Sequence, residues 1–227
     1  MARTLDATAH AVRRDAFVDV AMRLMQSKGY RQMSIQDVLD ETDSSKGAFY
    51  HYFHSKEDLL EAAIERITDT ALVAVNPILV DPGMTAPEKL VGMFSGIASW
   101  KNARKDLMLA IVEVWMSDDN IVVRQKAWDA ISMRLGSTLS RIIAQGKAEG
   151  IFDVEDPESS AGVLLSLIAG ANASASRLFM DCQRGLATTE DARKLTYAYE
   201  RAFEQVLGAP RGSLNYIDEE VIQTWFG

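Results

Sequence analysis

The residues best suited to chemistry lie in one short segment, Lys46 to Phe53. Wound as an α-helix at about 100° per residue, it sets Phe49, Tyr52 and Phe53 on one face. Gly47, Tyr50 and His51 take the opposite face, with Lys46 at its edge. The first face carries large rings that can anchor a short helix on its neighbours. The second carries no aliphatic side chain. Its glycine lets the helix backbone come close to a ligand, its phenol and imidazole can donate hydrogen bonds to phosphate oxygens, and its ammonium can pair with one. Ser45 opens the segment, and Ser34, Ser55 and Lys56 stand at two further helix starts, where unpaired amides and the helix dipole favour an anion. Such a set suits a nucleic-acid duplex. Taken singly, each feature is more often packing or a helix cap; their order and spacing carry the reading.

The elements that must position these residues are all helical. Helix 1 is expected over residues 9–28, with Val12, Phe17, Val20, Ala21, Leu24 and Met25 on one stripe and Gly29 just past its end. Ser34-x-x-Asp37 has the form of a capping box and opens helix 2, whose apolar face is Ile35, Val38 and Leu39. The polar turn Asp43-Ser44-Ser45 leads into helix 3, the segment above. Two helices joined by so short a turn make a helix-turn-helix, whose second helix enters the major groove. Ser55-x-x-Asp58 starts helix 4, expected to end near Pro77. Thr85, Pro87 and Glu88 open helix 5, which runs to about Trp100; helices 6 and 7 follow over 103–116 and 120–149. Asp156-Pro157 opens helix 8 and Thr188-x-x-Asp191 helix 9, which Gly208 and Pro210 close; a last helix is expected over 218–225. The chain therefore reads as all-α: a three-helix unit with the helix-turn-helix, a connecting helix, and a larger helical domain. The domain boundary is placed between residues 1–54 and 55–227.

Composition narrows the partners. The 227 residues hold 24 basic and 32 acidic side chains, a net charge of −8, and 48% are hydrophobic. That is enough apolar matter for a core, and the wrong overall sign for indiscriminate nucleic-acid binding. Residues 1–56 hold 8 basic and 7 acidic side chains, whereas residues 57–227 hold 16 and 25. The N-terminal quarter is the only plausible face for an anionic polymer, and specific contacts must do more there than bulk attraction. Cys182 is the sole cysteine, so no intrachain disulfide can form, which fits a reducing cytoplasm. No signal pattern opens the chain, and no run approaches the ~20 apolar residues of a membrane span. Catalysis has little to stand on: His10, His51 and His54 all lie in the N-terminal unit, and no glycine-rich phosphate loop or serine elbow occurs. No enzyme activity, metal or cofactor is expected.

Residues 34–60, and within them SKGAFYHYFHSKEDLL from Ser45 to Leu60, resemble the signature of the tetracycline-repressor (TetR) family of transcriptional regulators. The resemblance covers helices 2 and 3 and the start of helix 4; beyond it only the all-helical plan and features such as Gln145-Gly146-x-x-Glu149-Gly150 are similar. It implies a DNA-binding, ligand-responsive regulator, commonly a repressor. By position, Tyr50, His51 and Lys56 match contacts to the DNA backbone. Ser45, Lys46 and Gly47 match the start of the recognition helix, and Phe49 and Phe53 match core positions. Two departures stand out. Thr42-Asp43-Ser44 replaces the usual alanine-glycine-valine turn, and aspartate tolerates a left-handed backbone better than most residues. Ala48 stands where a hydroxyl is frequent.

The resemblance also implies an effector cavity in the C-terminal helices and a homodimer through helices 8 and 9. Flexible methionine and flat tryptophan suit a broad, largely apolar ligand. The lining is expected from Phe94, Trp100, Met108, Glu113, Trp115, Met116, Trp128 and Asn172. Ordinary core packing, a solvated polar stripe for Glu113 and an interhelical hydrogen bond for Asn172 stay open. At the dimer face, Leu167, Gly170 and Ser174 would permit close approach, and Tyr199, Phe203 and Val206 would offer bulk. The tail, residues 209–227, is expected to fold back through Trp225 and Phe226 onto the body or onto the other subunit. The expected partners are an operator in double-stranded DNA, a small-molecule effector and a second copy of the chain, with no membrane. The rival reading is a helical ligand-binding or interaction module that has lost specific DNA binding.

Overall fold

The computed structural model describes residues 2–115 and 121–227, with side chains for residues 9–112, 124–126 and 128–227. Among them, ten helices follow one another: α1 (Ala2–Lys28), α2 (Ile35–Glu41), α3 (Lys46–Tyr52), α4 (Lys56–Val80), α5 (Ala86–Asn102), α6 (Lys105–Trp115), α7 (Ile121–Ala148), α8 (Pro157–Gln183), α9 (Thr189–Leu207) and α10 (Glu219–Phe226). The caps fall where the sequence puts them. Ser34 and Asp37 close a capping box on α2, Thr85 and Glu88 one on α5, and Thr188 and Asp191 one on α9.

Two expected boundaries move. α1 begins at Ala2 rather than Ala9. The upstream residues include Leu5 and Ala7, both helix formers, with no glycine or proline to stop the turn. α4 runs through Pro77 to Val80. Proline removes a hydrogen bond to the carbonyl four residues back, that of Val73. Val73 and Pro77 both lie on the exposed side of α4, where water can satisfy that carbonyl, and Val75 on the other side is buried in a core. Burial of that face keeps the last turn helical.

The contacts divide the chain into two compact units, Met1–Asp69 with Arg104–Ala127, and Thr70–Ala103 with Trp128–Gly227. In the first, Phe17, Val18, Ala21 and Met25 of α1, Val38 and Leu39 of α2, Phe49 of α3, Phe53, and Leu59, Leu60 and Ala63 of α4 are all buried, and α1 packs on α2. The ring of Phe17 stands edge-on to Phe49 at 5.6 Å and to Phe53 at 6.2 Å. α6 packs on α1 in this unit.

In the second unit, α5 crosses the end of α4 at glycines. A Cβ on Gly92 would lie 2.7 Å from Ile78, and one on Gly96 would lie 2.7 Å from Val75, so larger residues would push the helices apart. The Gln145 and Glu149 side chains tie the end of α7 to the start of α5. Glu149 accepts from the Ala86 amide at 2.9 Å, Gln145 donates to the Met84 carbonyl at 2.9 Å, and Lys89 donates to Gln145 at 2.9 Å. A Cβ on Gly146 would collide with the Phe152 ring. α8 and α9 form the closest helix pair, with the Tyr199 hydroxyl 3.1 Å from where a Cβ on Gly170 would lie and 3.3 Å from the Ser174 hydroxyl.

Gly170 and Ser174 of α8 thus meet Tyr199 of the same chain. Phe203, expected at a subunit interface, is buried in its own unit because its ring stacks on those of Phe94 and Tyr216. The tail folds onto the same chain: α10 packs on α5, α8 and α9, and Trp225 donates its ring N–H to Asn102 at 2.6 Å.

Candidate nucleic-acid interface

The helix-turn-helix is held by caps on both sides of its turn. Ser34 accepts from the Asp37 amide at 3.2 Å and donates both its hydroxyl and its amide to the Asp37 carboxylate at 2.7 Å. Lys28 bridges the same carboxylate. Hydrogen bonds from Lys28 and then Ser34 hold the Asp37 carboxyl well below the usual carboxylate range. At the turn, the Thr42 hydroxyl donates to the Val38 carbonyl at 2.7 Å, and the Ser44 amide reaches back to Leu39 at 3.0 Å. Between them Asp43 takes φ 45°, so the aspartate does adopt the left-handed backbone in a place where the resemblance leads one to look for glycine.

Ser45 then caps α3, accepting from the Ala48 amide at 3.2 Å. Phe49 is fully buried, and Tyr52 is half-buried against Phe17. Lys46, Gly47, Tyr50 and His51 are all exposed. A Cβ added to Gly47 would meet only the Ser45 hydroxyl, at 3.9 Å, so nothing in this chain covers the face. The Tyr50 ring is braced edge-on by Phe49 at 5.4 Å, and the Lys46 ammonium lies 6.0 Å from the Tyr50 centroid. The exposed face is therefore built on a rigid aromatic base, which holds donors ready rather than leaving them to find a geometry on binding.

α4 begins differently. Ser55 accepts from the Asp58 amide at 3.1 Å, and Asp58 accepts from the His54 amide at 3.0 Å. Lys56 is half-buried; its ammonium donates to the Tyr30 carbonyl at 2.6 Å and lies 4.1 Å from the Tyr30 ring centroid. Burial lowers the proton affinity of that amine. Of the eight sequence-nominated residues, the structure gathers Lys46, Gly47, Tyr50 and His51 on one open surface. It engages Ser34, Ser45 and Ser55 in caps and turns Lys56 towards Tyr30.

One neighbour escapes a reading of the motif alone. His10 of α1 sets its ring 5.4 Å from that of His51 and 4.5 Å from that of Tyr52. Arg14, one turn on, lies 5.3 Å from the Phe53 centroid. The signal was the helical spacing His10, Arg14, Phe17, which puts all three on the face of α1 that carries the buried stripe. Among the described residues, no group of three or more histidine, cysteine, aspartate or glutamate side chains could hold a metal ion.

In the second unit, the nominated ligand residues do not form one group. Phe94 lines a narrow apolar seam with Leu90, Val91, Leu164, Phe203, Leu214 and Tyr216, too tight to admit water. Trp100 is buried and Trp128 packs against the core cluster. Asn172 is exposed and donates to the Ile168 carbonyl of its own helix at 3.0 Å. Met108 is buried within the first unit. Glu113, Trp115 and Met116 lie outside the residues whose side chains are described.

Residues 17–63 match the family model for bacterial regulatory proteins of the tetR family. Over 84 residues the chain is 30% identical to the HTH-type transcriptional repressor KstR2 of Mycolicibacterium smegmatis, a stretch covering 37% of this chain and 40% of that one. The chain spans about two fifths or less of the length of the curated relatives it matches. Its fold is similar to a TetR transcription regulator from Haloarcula marismortui, at 21% identity, over 87% of this chain and 97% of that one, with a TM-score of 0.60. It is also similar to reduced NemR from Escherichia coli, at 20% identity, over 87% and 99%, with a TM-score of 0.53. At these identities the likeness to the solved structures is one of fold.

Proposed function

We propose that the protein is a ligand-responsive DNA-binding repressor, because residues 17–63 match the family model for bacterial regulatory proteins of the tetR family and its helices are similar in fold to a solved TetR regulator. Residues 1–54 bind DNA; residues 55–227 bind the effector and pair two copies of the chain in the cytoplasm. The carrying observation is the open face of α3, where Lys46, Gly47, Tyr50 and His51 stand together on a base of buried rings. α3 enters the major groove. Gly47 allows the helix backbone close to the duplex, Tyr50 and His51 donate to phosphate oxygens, and Lys46 pairs with a third. The backbone amide at the start of α4, rather than the side chain of Lys56, meets a further phosphate, since the ammonium is taken up by Tyr30.

α8 supports a homodimer. Although no uninterrupted apolar run reaches the length of a membrane span, it is by length and mean hydropathy the one described helix able to cross a membrane, and only 11% of its most apolar stretch is buried in the chain. A second copy covers such a face as well as a lipid would. Val163 of α8 and Tyr197 of α9, 49% and 52% exposed, offer apolar surface for a two-fold contact through these helices. Two-fold pairing sets two recognition helices on half-sites about 34–36 Å apart, so the operator is palindromic. α4 runs unbroken from residues of the first unit to residues of the second. A ligand that binds more tightly to one setting of α4 than to the other shifts the population away from the DNA-binding state.

The test is selection of bound sequences from a random duplex pool, with Lys46→Ala plus Tyr50→Ala as the control. A recovered palindrome, weakened in the double variant with the salt slope shallower by about one per lost phosphate contact, is the expected result. A folded, ligand-free protein that enriches nothing at low salt overturns the reading.

A further inference from the structure

We propose that the seam between α5, α8 and α9 is a binding site for a planar aromatic amine, filled in this structure by the chain's own segment 214–216. The segment is not helical. It lies in the seam as a ligand would. The Tyr216 ring stacks on Phe203 at 5.6 Å and 21°, and tilts against Phe94 at 4.8 Å. Leu214 is 3% exposed. Aliphatic Leu90, Val91 and Leu164 complete the walls.

The polar side of the seam specifies the second half of the ligand. Two glutamates one turn apart on α9, Glu200 and Glu204, are buried beside the segment. Glu200 accepts from the Tyr216 amide at 3.1 Å, and Glu204 from the Leu214 amide at 3.3 Å. Arg201 pairs with Glu204. Among the described residues no cation pairs with Glu200, although Glu204 adds a second negative charge near it. Burial, and then Glu204, raise the Glu200 proton affinity above that of an ordinary carboxyl. A buried carboxylate that receives only backbone N–H groups is a poor bargain for stability, because each ion taken out of water is compensated best by a counter-charge. A protonated amine supplies that counter-charge, and an attached ring takes the place of Tyr216 against Phe94 and Phe203.

The segment can leave. Its flanking ties include surface contacts: Arg211 donates to the Tyr197 hydroxyl at 2.7 Å, and Arg193 bridges Glu219. Exposed pairs of this kind hold weakly. The bond from Trp225 to Asn102 keeps the far end on the body after the segment lifts. Any effect of such a ligand on DNA rests on the repressor reading above; the binding itself does not.

The experiment is isothermal titration of the full chain with tryptamine, and with indole-3-acetate as the anionic counterpart of the same ring. Tyr216→Ala is expected to bind tryptamine at least tenfold more tightly than the unaltered chain, with no gain for indole-3-acetate. Adding Glu200→Gln is expected to remove that gain. Trp225→Ala, which leaves the seam lining intact, gives a smaller gain in the same direction and serves if Tyr216→Ala fails to fold. Folded variants with no gain for tryptamine overturn the proposal, as does an equal gain for the acid. Operator release is read separately by fluorescence anisotropy. Tight tryptamine binding without release keeps the site and sinks its role as an effector site.

Discussion

Asp43 holds a left-handed backbone, φ 45°, without being glycine. Such a conformation costs a non-glycine residue roughly 1 kcal/mol, less for aspartate than for most. It also leaves an exposed carboxylate in the turn that leads to α3. Asp43→Gly is therefore expected to raise the unfolding free energy by about 0.5–1 kcal/mol and to tighten binding to an anionic duplex. Chemical denaturation and an operator titration read the two effects separately. Phe49 behaves in the opposite sense. It is fully buried and braces Tyr50 and Phe53, so Phe49→Ala is expected to cost about 3–5 kcal/mol, with loss of DNA binding following from loss of the α3 base. The residue scale was legible in part. The split of α3 into an inner and an outer face follows from a 3.6-residue period. The fate of Lys56 does not, because its partner Tyr30 belongs to the α1–α2 corner and no spacing rule names it.

At the scale of elements, the helices are held at their starts by carboxylates. Asp37, Glu88 and Asp191 accept from the N-cap residues Ser34, Thr85 and Thr188, Asp156 accepts from the Ser159 amide, and each carboxyl sits below its ordinary range because of its hydrogen bonds, for Asp37 from Lys28 first. Glu219, gripped by Arg193 and then Gln223, is brought down to about 2. A carboxyl whose folded proton affinity is depressed stabilises the fold above its unfolded value, and that contribution is lost as the pH falls through the depressed one. These five act together, so the urea midpoint is expected to stay level above about pH 5 and to fall from about 4.5 towards 2. Glu200 works against the trend, since burial raises its proton affinity and it gains by protonation. An acid titration that leaves the midpoint unchanged would show the caps to be idle. Pro77 makes the complementary point about helix bodies. The proline signal for a boundary was real, but the buried Val75 face outweighed one lost hydrogen bond on the wet side of α4. Pro77→Ala is expected to raise the melting temperature, by restoring that bond with no packing change.

For the whole molecule, the decisive quantity is the apolar surface of α8 that the chain leaves only partly covered. If two copies cover it, Val163→Lys together with Tyr197→Lys places like charges across the two-fold axis and turns the dimer into monomer. Light scattering coupled to gel filtration reads the mass, and the variant is expected to lose palindromic operator binding while its helicity is retained. A dimer that persists would move the interface elsewhere.

The helix-turn-helix, the order of the ten helices and the charge contrast between the N-terminal quarter and the rest were determined by the sequence alone. These depend on local terms, such as hydrophobic period, capping boxes and turn residues, which act over a few positions. The resemblance carried by Ser45 to Leu60 pointed to a family, and residues 17–63 match the model of that family. Tertiary structure alone decided which side chains meet across long stretches of chain. It brought His10 against His51, turned Lys56 to Tyr30, placed Tyr199 on Gly170, and laid Tyr216 against Phe94 and Phe203. Each of these pairings depends on how whole helices pack, and packing is settled by the shape and volume of many side chains at once rather than by the pattern of any one segment.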